Sequence, residues 1–178
     1  MSTNILAKIV AQKFVEVAER KKQISIGELE AMPLFAKEGN SLKLNLVDPN
    51  KTGIIAEFKR QSPSKGIINN TALVHDVTKA YSDFGASGIS VLTDTHFFGG
   101  SLDDLEIAVK NTTPVLRKEF IIDEFQIIEA KAYGASVILL IASCLTPVET
   151  KLLAGTAKAL GMEVLLEIHD KTEMGHIC

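Results

Sequence analysis

The chain has 178 residues, of which 46% are hydrophobic and 23% are charged, and its formal net charge at pH 7 is −3. These values predict one globular domain, or a part of a larger one. The small negative charge argues against nucleic acid or an anionic membrane surface as a binding partner.

The chain start and the cysteines give no sign of export or of a metal site. Residues 1–4 lack a cationic segment followed by an apolar run, and no stretch approaches the roughly 18 apolar residues of a membrane span. Cys144 and Cys178 lie far apart, without a C-x-x-C pattern or a histidine cluster. We therefore expect a cytoplasmic protein with reduced thiols, no disulfide framework and no bound metal.

Helical patterns come first along the chain. From Asn4 to Lys22, apolar residues recur at three- and four-residue steps, which predicts an amphipathic helix. Ser25 and Glu28 have the spacing of a capping box for a shorter helix that stops near Pro33. Residues 39–52 are interpreted as a connector. In the first helix we assign Ile5, Leu6, Ile9, Val10, Phe14 and Val17 to the apolar face, and Lys8, Lys13, Glu16 and Arg20 to the polar face.

The stretch 54–66 reads as a buried strand that opens into a loop. Glu57 and Lys59 are two residues apart, so both side chains point to the same face of the strand. An ion pair at a sheet margin is the simple interpretation. In a parallel sheet, however, both faces are covered, and these charges would be costly to bury unless they served a ligand.

A regular alternation of strand, polar loop, capped helix and glycine follows residue 66. Such alternation predicts an α/β fold with parallel strands joined by right-handed crossovers, either a doubly wound sheet or a (β/α)8 barrel. No G-x-G-x-x-G follows any strand, which argues against dinucleotide binding. The predicted strands after the first are 88–93, 114–118, 136–141 and 163–168. The predicted helices cover 71–84 and 146–160, and three more begin at Ser101, Asp123 and Asp170.

Three motifs resemble the indole-3-glycerol phosphate synthase family of tryptophan biosynthesis. The segment I-I-A-E-F-K-R-Q-S-P-S-K-G at 54–66 is similar to the family's first-strand signature. Leu-Arg-Lys-Glu-Phe at 116–120 resembles L-x-K-D-F, with Glu119 where the family more often has Asp, and 165–170 resembles the fifth-strand motif. The resemblance implies a (β/α)8 TIM barrel. Its first five β/α units would occupy residues 53–178, after an N-terminal helical extension at 1–52.

The resemblance also implies a carboxy-lyase activity and a set of site residues. The substrate would be the phosphorylated small molecule 1-(2-carboxyphenylamino)-1-deoxyribulose 5-phosphate, which undergoes ring closure, decarboxylation and dehydration without a cofactor. The implied catalytic residues are Lys118 as general acid, Lys59 for carboxylate binding and later proton donation, Glu167 as acid/base partner and Glu57 as the group that orients the lysines. Phe98 and Phe120 would contact the anthranilate ring. Ser62, in a mobile loop at 62–66, would bind the ligand. His96 and His169 are interpreted as polar loop residues.

Two alternatives remain beside the synthase. The family's sixth-strand Asn and Arg, and its phosphate-binding elements after strands seven and eight, have no counterpart in this sequence. A catalytically inactive partial barrel that self-associates through open sheet edges is therefore the second hypothesis. A phosphoribosylanthranilate isomerase is the third, but the Glu57-x-Lys59 strand and the Lys118-Glu119-Phe120 motif argue against it, because that enzyme uses a cysteine and an aspartate.

Overall fold

A computed structural model describes residues 5–178. Within this range the strands are β1 (Ile55–Phe58), β2 (Gln61–Ser62), β3 (Gly66–Ile67), β4 (Gly88–Leu92), β5 (Val115–Lys118), β6 (Val137–Ile141) and β7 (Glu163–Glu167). The helices are α1 (Ile5–Gln23), α2 (Ile26–Glu30), α3 (Leu42–Val47), α4 (Val74–Asp83), α5 (Thr95–Phe98), α6 (Leu102–Ala108), α7 (Glu124–Ala132) and α8 (Pro147–Ala159). Two 3-10 segments lie at Ala142–Cys144 and Lys171–His176. None of these helices is long and apolar enough to cross a membrane.

The parallel sheet has the sequential order β1-β4-β5-β6-β7, and all four of its strand pairs are parallel. A doubly wound sheet reverses its strand order at a switch point, whereas a (β/α)8 barrel adds each strand beside the previous one. The observed order has no reversal within residues 5–178. The predicted α/β class is confirmed, and of the two sheet types that the sequence allowed, the order is that of a barrel.

Two cores form because strand side chains alternate between the faces of the sheet. On the outer face, the strand residues Ile89, Val91 and Ile138 join residues of α6, α7 and α8 in one buried cluster. On the inner face, Leu116 and Leu139 belong to a second buried cluster. Both faces are therefore covered along the central strands, which explains why β4 and β6 are buried at every residue.

Four predicted helix starts, at Ser25, Ser101, Asp123 and Thr146, agree with the structure because they depend on local hydrogen bonds. The helix predicted from residue 71 begins at Val74 instead. Ser101 accepts a bond from the backbone N–H of Asp104 at the start of α6. Asp123 and Thr146 each form a complete capping box at the start of α7 and α8. Ser25 does the same for α2. Helices α6, α7 and α8, which begin at three of these caps, contribute residues to the outer core, whereas α2 packs in a separate cluster with α1 and α7.

Three parts of the predicted layout are wrong. The connector at 39–52 contains helix α3, whose N-cap Ser41 donates a hydrogen bond to Glu163 of β7 and whose Leu42 packs into the inner core. The short helix α5 interrupts a segment that we interpreted as a loop. The segment after Asp170 is a 3-10 helix rather than the predicted start of an α-helix.

The faces of the first helix also differ from the prediction. Helix α1 spans Ile5–Gln23, and Asn4, its predicted first residue, lies outside the described residues. Phe14, assigned to the apolar face, is 61% exposed, whereas Lys13, assigned to the polar face, is only 3% exposed. Lys13 is buried because two carboxylates of the sheet's loops, Asp94 and Glu119, meet its ammonium group.

Candidate active site

The four predicted catalytic residues lie at the carboxyl end of the sheet on its inner face. Glu57 lies on β1, Lys59 follows β1 directly, Lys118 ends β5 and Glu167 ends β7. Lys118 and the inner-core residue Leu116 are two residues apart on β5, so their side chains point to the same, inner face of the sheet. In barrel enzymes this end of the strands carries the chemistry.

These residues form two ion pairs. Lys59 Nζ lies 2.6 Å from Glu57 Oε1, and Lys118 Nζ lies 3.1 Å from Glu167 Oε2. All four side chains are between 30% and 33% exposed. They are therefore accessible to a ligand, while the partial burial makes their electrostatic interactions stronger than those of fully solvated pairs.

A cavity of about 200 Å³ opens beside both ion pairs. Three of the charged groups, Glu57, Lys59 and Lys118, line it, and Glu167 is held next to it through Lys118. The remaining lining residues are Leu92, Phe98, Glu119, Phe120, Leu139 and Ile141. The cavity thus combines an apolar wall with two ammonium groups and two carboxylates, those of Glu57 and Glu119.

Phe98 and Phe120 form part of the apolar wall. Their ring centroids lie 5.9 Å apart with an interplanar angle of 35°. Phe98 belongs to α5 and Phe120 follows β5, so the contact joins two different loops of the site. Both rings are half-buried, which leaves aromatic surface for a planar apolar ligand.

Ser62 lies outside this cavity. It lies in β2 of the β2–β3 hairpin and lines an adjoining groove of about 430 Å³ that shares Lys59 and Phe98 with the cavity. Its hydroxyl accepts a hydrogen bond from the backbone N–H of Lys65 at 3.3 Å. A ligand would have to extend from the cavity into the groove to contact Ser62.

The sequence interpretation missed the position of His169. Its Nε2 atom lies 3.3 Å from Glu167 Oε1, so this histidine is a neighbour of the predicted acid/base group. The sequence contained the signal for this contact. Glu167 and His169 are two residues apart at a strand end, as are Glu57 and Lys59, and this spacing places both side chains on the same face. His96, in contrast, packs edge-on against Phe97, with centroids 4.7 Å apart, and does not line the cavity.

A larger cavity of about 550 Å³ lies beside α1, and its chemistry is different. Its lining lysine, arginine and glutamate side chains are already paired with one another; for example, Arg20 bonds to Glu129 at 2.7 Å, and Arg117 bonds to Glu129 at 2.9 Å. Such satisfied pairs offer little to a ligand. The smaller cavity is therefore the better candidate, since Glu57, Lys59 and Lys118 are partly exposed there and adjoin an apolar wall.

Cys144 lies beside the site, partly buried and packed against the inner core cluster. Burial, together with the negative charges of Glu167 and Glu173, raises the pKa of the Cys144 thiol to about 11. A thiol with so high a pKa is a poor nucleophile near neutrality. Among residues 5–178, no group of three or more His, Cys, Asp or Glu side chains is arranged to hold a metal ion.

Comparisons with known proteins show the family to which this chain belongs. The family model described as indole-3-glycerol phosphate synthase matches residues 6–178. A curated relative from Bacteroides thetaiotaomicron, named indole-3-glycerol phosphate synthase, is 45% identical over 175 residues, which cover 98% of this chain and 67% of the relative. On these two findings, the chain belongs to the indole-3-glycerol phosphate synthase family.

Proposed function

We propose that this chain carries the acid/base residues of an indole-3-glycerol phosphate synthase, a carboxy-lyase of tryptophan biosynthesis. The observation that carries the proposal is the meeting of Glu57, Lys59, Lys118 and Glu167, from three strands, beside one cavity with an aromatic wall. Family membership gives the reaction, and the geometry supports the assignment of these side chains to its steps.

Ring closure is the first step. The ring carbon that bears the carboxylate attacks the ribulose carbonyl carbon, and the carbonyl oxygen must take up a proton as the new C–C bond forms. Lys118 is the proposed donor, because its ammonium group faces the cavity and is paired with Glu167. A positioned general acid typically accelerates such a step by about a hundredfold to ten-thousandfold.

Decarboxylation and dehydration follow. The carboxylate leaves as carbon dioxide, and its bonding electrons restore the aromatic ring. The new hydroxyl group leaves as water after protonation, and the methylene carbon beside the nitrogen loses a proton. Lys59 is suited first to bind the carboxylate and then to donate the proton, while Glu167 accepts the proton from carbon. Glu57, 2.6 Å from Lys59, orients that ammonium group.

The apolar wall and the groove account for substrate binding. A cavity of about 200 Å³ is smaller than the roughly 300 Å³ at which ligand sites usually begin. It is suited to the anthranilate ring and the reacting carbons, with Phe98 and Phe120 against the ring. The ribulose phosphate would then extend outward, and the groove that Ser62 lines is one route for it.

The architecture is part of the proposal. Residues 1–52 would form a helical extension, and residues 53–178 would contribute five β/α units of a (β/α)8 barrel in a cytoplasmic protein. The sequential strand order supports this, and β1 and β7, at the ends of that order, each have one unpaired edge within residues 5–178. Unpaired edges favour association. Sedimentation of the chain tests self-association, since a concentration-independent monomer would contradict it.

The function itself is tested by a fluorescence assay for indole-glycerol phosphate. The proposal predicts that wild-type protein forms product and that Glu167→Gln forms it at least about a hundredfold more slowly. A suitable control is Glu106→Gln, which changes an exposed carboxylate on α6 away from the cavity. Equal rates for all three proteins would remove Glu167 from the mechanism. Absence of product from a folded wild-type protein would favour the inactive partial barrel.

A further inference from the structure

Lys13 is a buried ammonium group in the middle of α1, and carboxylates surround it. Its Nζ atom lies 2.9 Å from Asp94 Oδ2, 3.0 Å from Glu119 Oε1 and 2.6 Å from Glu16 Oε2. The side chains of Lys13, Asp94 and Glu119 are only 4%, 0% and 4% exposed. Burial opposes the charge, but the carboxylates, Glu119 foremost, raise the pKa of Lys13 above its ordinary value. Lys13 therefore stays charged and paired at neutral pH.

Glu119 connects Lys13 to one wall of the cavity. Its carboxylate accepts a hydrogen bond from the backbone N–H of Phe120 at 2.9 Å and another from the hydroxyl of Thr93 at 2.9 Å. Glu119 stands between Lys118 and Phe120 in the chain. Fixing its carboxylate therefore fixes the backbone from which the proposed general acid and one aromatic ring project.

Asp94 connects Lys13 to the facing wall. Its Oδ1 atom accepts hydrogen bonds from the backbone N–H groups of Phe97 and Phe98, at 2.7 and 3.1 Å, and so caps helix α5. The orientation of α5 determines where the ring of Phe98 lies. The same carboxylate uses its other oxygen to bond to Lys13.

We propose that Lys13 is a positioning residue, which joins the Phe98 wall to the Lys118–Phe120 wall by holding Asp94 and Glu119 on one ammonium group. The inference deepens the proposed function, on which it rests. Lys13 does not line the cavity and touches no reacting atom. Its removal would leave the two carboxylates to repel each other, and the walls that they hold would separate.

The test compares Lys13→Met with Lys21→Met. Lys21 is the matched control, because it also joins α1 to the rest of the fold, through an ion pair of 2.7 Å with Asp123, but lies away from the cavity. Lys13→Met removes the ammonium group that the buried carboxylates of Asp94 and Glu119 share, although Glu119 keeps Arg117 at 3.9 Å. A second variant therefore combines Lys13→Met with Asp94→Asn and Glu119→Gln, which removes the repulsion while side-chain oxygens remain to accept the backbone bonds.

The first measurement is the nuclear Overhauser effect between the rings of Phe98 and Phe120, which reports the wall contact without substrate. The second is the dissociation constant of a substrate in which the ribulose carbonyl is reduced to an alcohol, so that turnover is blocked. Folding of each variant is checked by circular dichroism. We expect Lys13→Met to lose the ring contact and to bind at least about tenfold more weakly, while Lys21→Met matches wild type.

The outcomes distinguish a positioning role of Lys13 from a purely structural one. If Lys13→Met only lowers the unfolding temperature, with ring contact and affinity intact, Lys13 is no positioning residue. If Lys13→Met does not fold, the ring contact and the substrate affinity are measured on the triple variant instead, and the same results support or contradict the positioning role of Lys13. If folded wild-type protein does not bind the reduced substrate, the proposed function fails, and the ring contact alone still decides whether Lys13 joins the walls.

Discussion

The Nζ atom of Lys118 lies 3.1 Å from Oε2 of Glu167, although the two residues are 49 positions apart and β6 separates their strands. The side chains of both residues point to the inner face of the sheet and lie at the carboxyl ends of their strands, which brings them together. At this distance a proton can pass between the two groups directly. The pair is thus suited to give a proton in one step and to recover one in a later step.

Lys118→Met is expected to lower the turnover number by at least about a hundredfold, the usual scale for loss of a general acid. Methionine keeps the length of the side chain but cannot donate a proton. Fluorescence of the indole product at saturating substrate measures the effect. Lys110→Met, at an exposed position after α6, serves as the control and is expected to retain wild-type turnover. Near-normal turnover of Lys118→Met would exclude this lysine as the acid.

Lys59→Met is expected to weaken binding of the reduced substrate by about tenfold to a hundredfold, since a hydrogen bond to a charged group contributes about 1.5 to 3 kcal/mol. Titration calorimetry measures the affinity. The matched ligand lacks the ring carboxylate, and wild type and variant are expected to bind it equally. An equal loss of affinity for both ligands would show that Lys59 does not recognise the carboxylate.

Cys144 provides a reporter of the charge on Glu167. With the pKa of its thiol raised to about 11, only about one molecule in a thousand carries a thiolate at pH 8. Alkylation by iodoacetamide should therefore be slow and should accelerate about tenfold per pH unit up to pH 11. Removing a neighbouring negative charge lowers the thiol pKa, so Glu167→Gln is expected to react faster at pH 8.

Mass spectrometry of the Cys144 peptide follows this reaction. The exposed Cys178 of the same protein is the internal control, and its rate should not respond to Glu167→Gln. A Cys144 rate that levels off near pH 8.5, the value of an ordinary thiol, would contradict the burial of this group beside Glu167.

Two glycines are expected to respond oppositely to alanine. At Gly100, a Cβ atom would lie 2.1 Å from the carbonyl oxygen of Leu92, and backbone cannot move aside cheaply. We expect Gly100→Ala to lower the free energy of unfolding by about 3 kcal/mol. Gly155, inside α8, has no atom within 4 Å of such a Cβ, so Gly155→Ala should raise it by about 1 kcal/mol. Urea unfolding measures the free energy of unfolding of both variants. Changes of the same sign would contradict the tight packing at Gly100 and the open space at Gly155.

Local patterns predicted the parts of the fold that depend on near neighbours. The shared face of Glu57 and Lys59 follows from strand alternation, and the helix starts at Asp123 and Thr146 follow from side chains three residues apart. The same reasoning placed Lys118 and Glu167 at strand ends, but only the parallel pairing of β5, β6 and β7 brings them together.

Distant partners explain what the sequence could not show. Helix α3 depends on a bond from Ser41 to Glu163, which lies 122 residues later. Lys13 is buried because Asp94, 81 residues later, compensates its charge, and no periodicity of α1 contains that information. Charged residues are assigned to the solvent face by default, and they lie inside only where the fold supplies a counter-charge.

A crystal structure with the reduced substrate bound tests most directly whether the cavity at the strand ends is the active site. The predicted result is an alcohol oxygen within hydrogen-bond distance of Lys118 Nζ, a ring carboxylate against Lys59 and an anthranilate ring beside Phe98 and Phe120. Density for the ligand in the larger cavity beside α1 instead, with the two lysine and glutamate pairs left untouched, would contradict it.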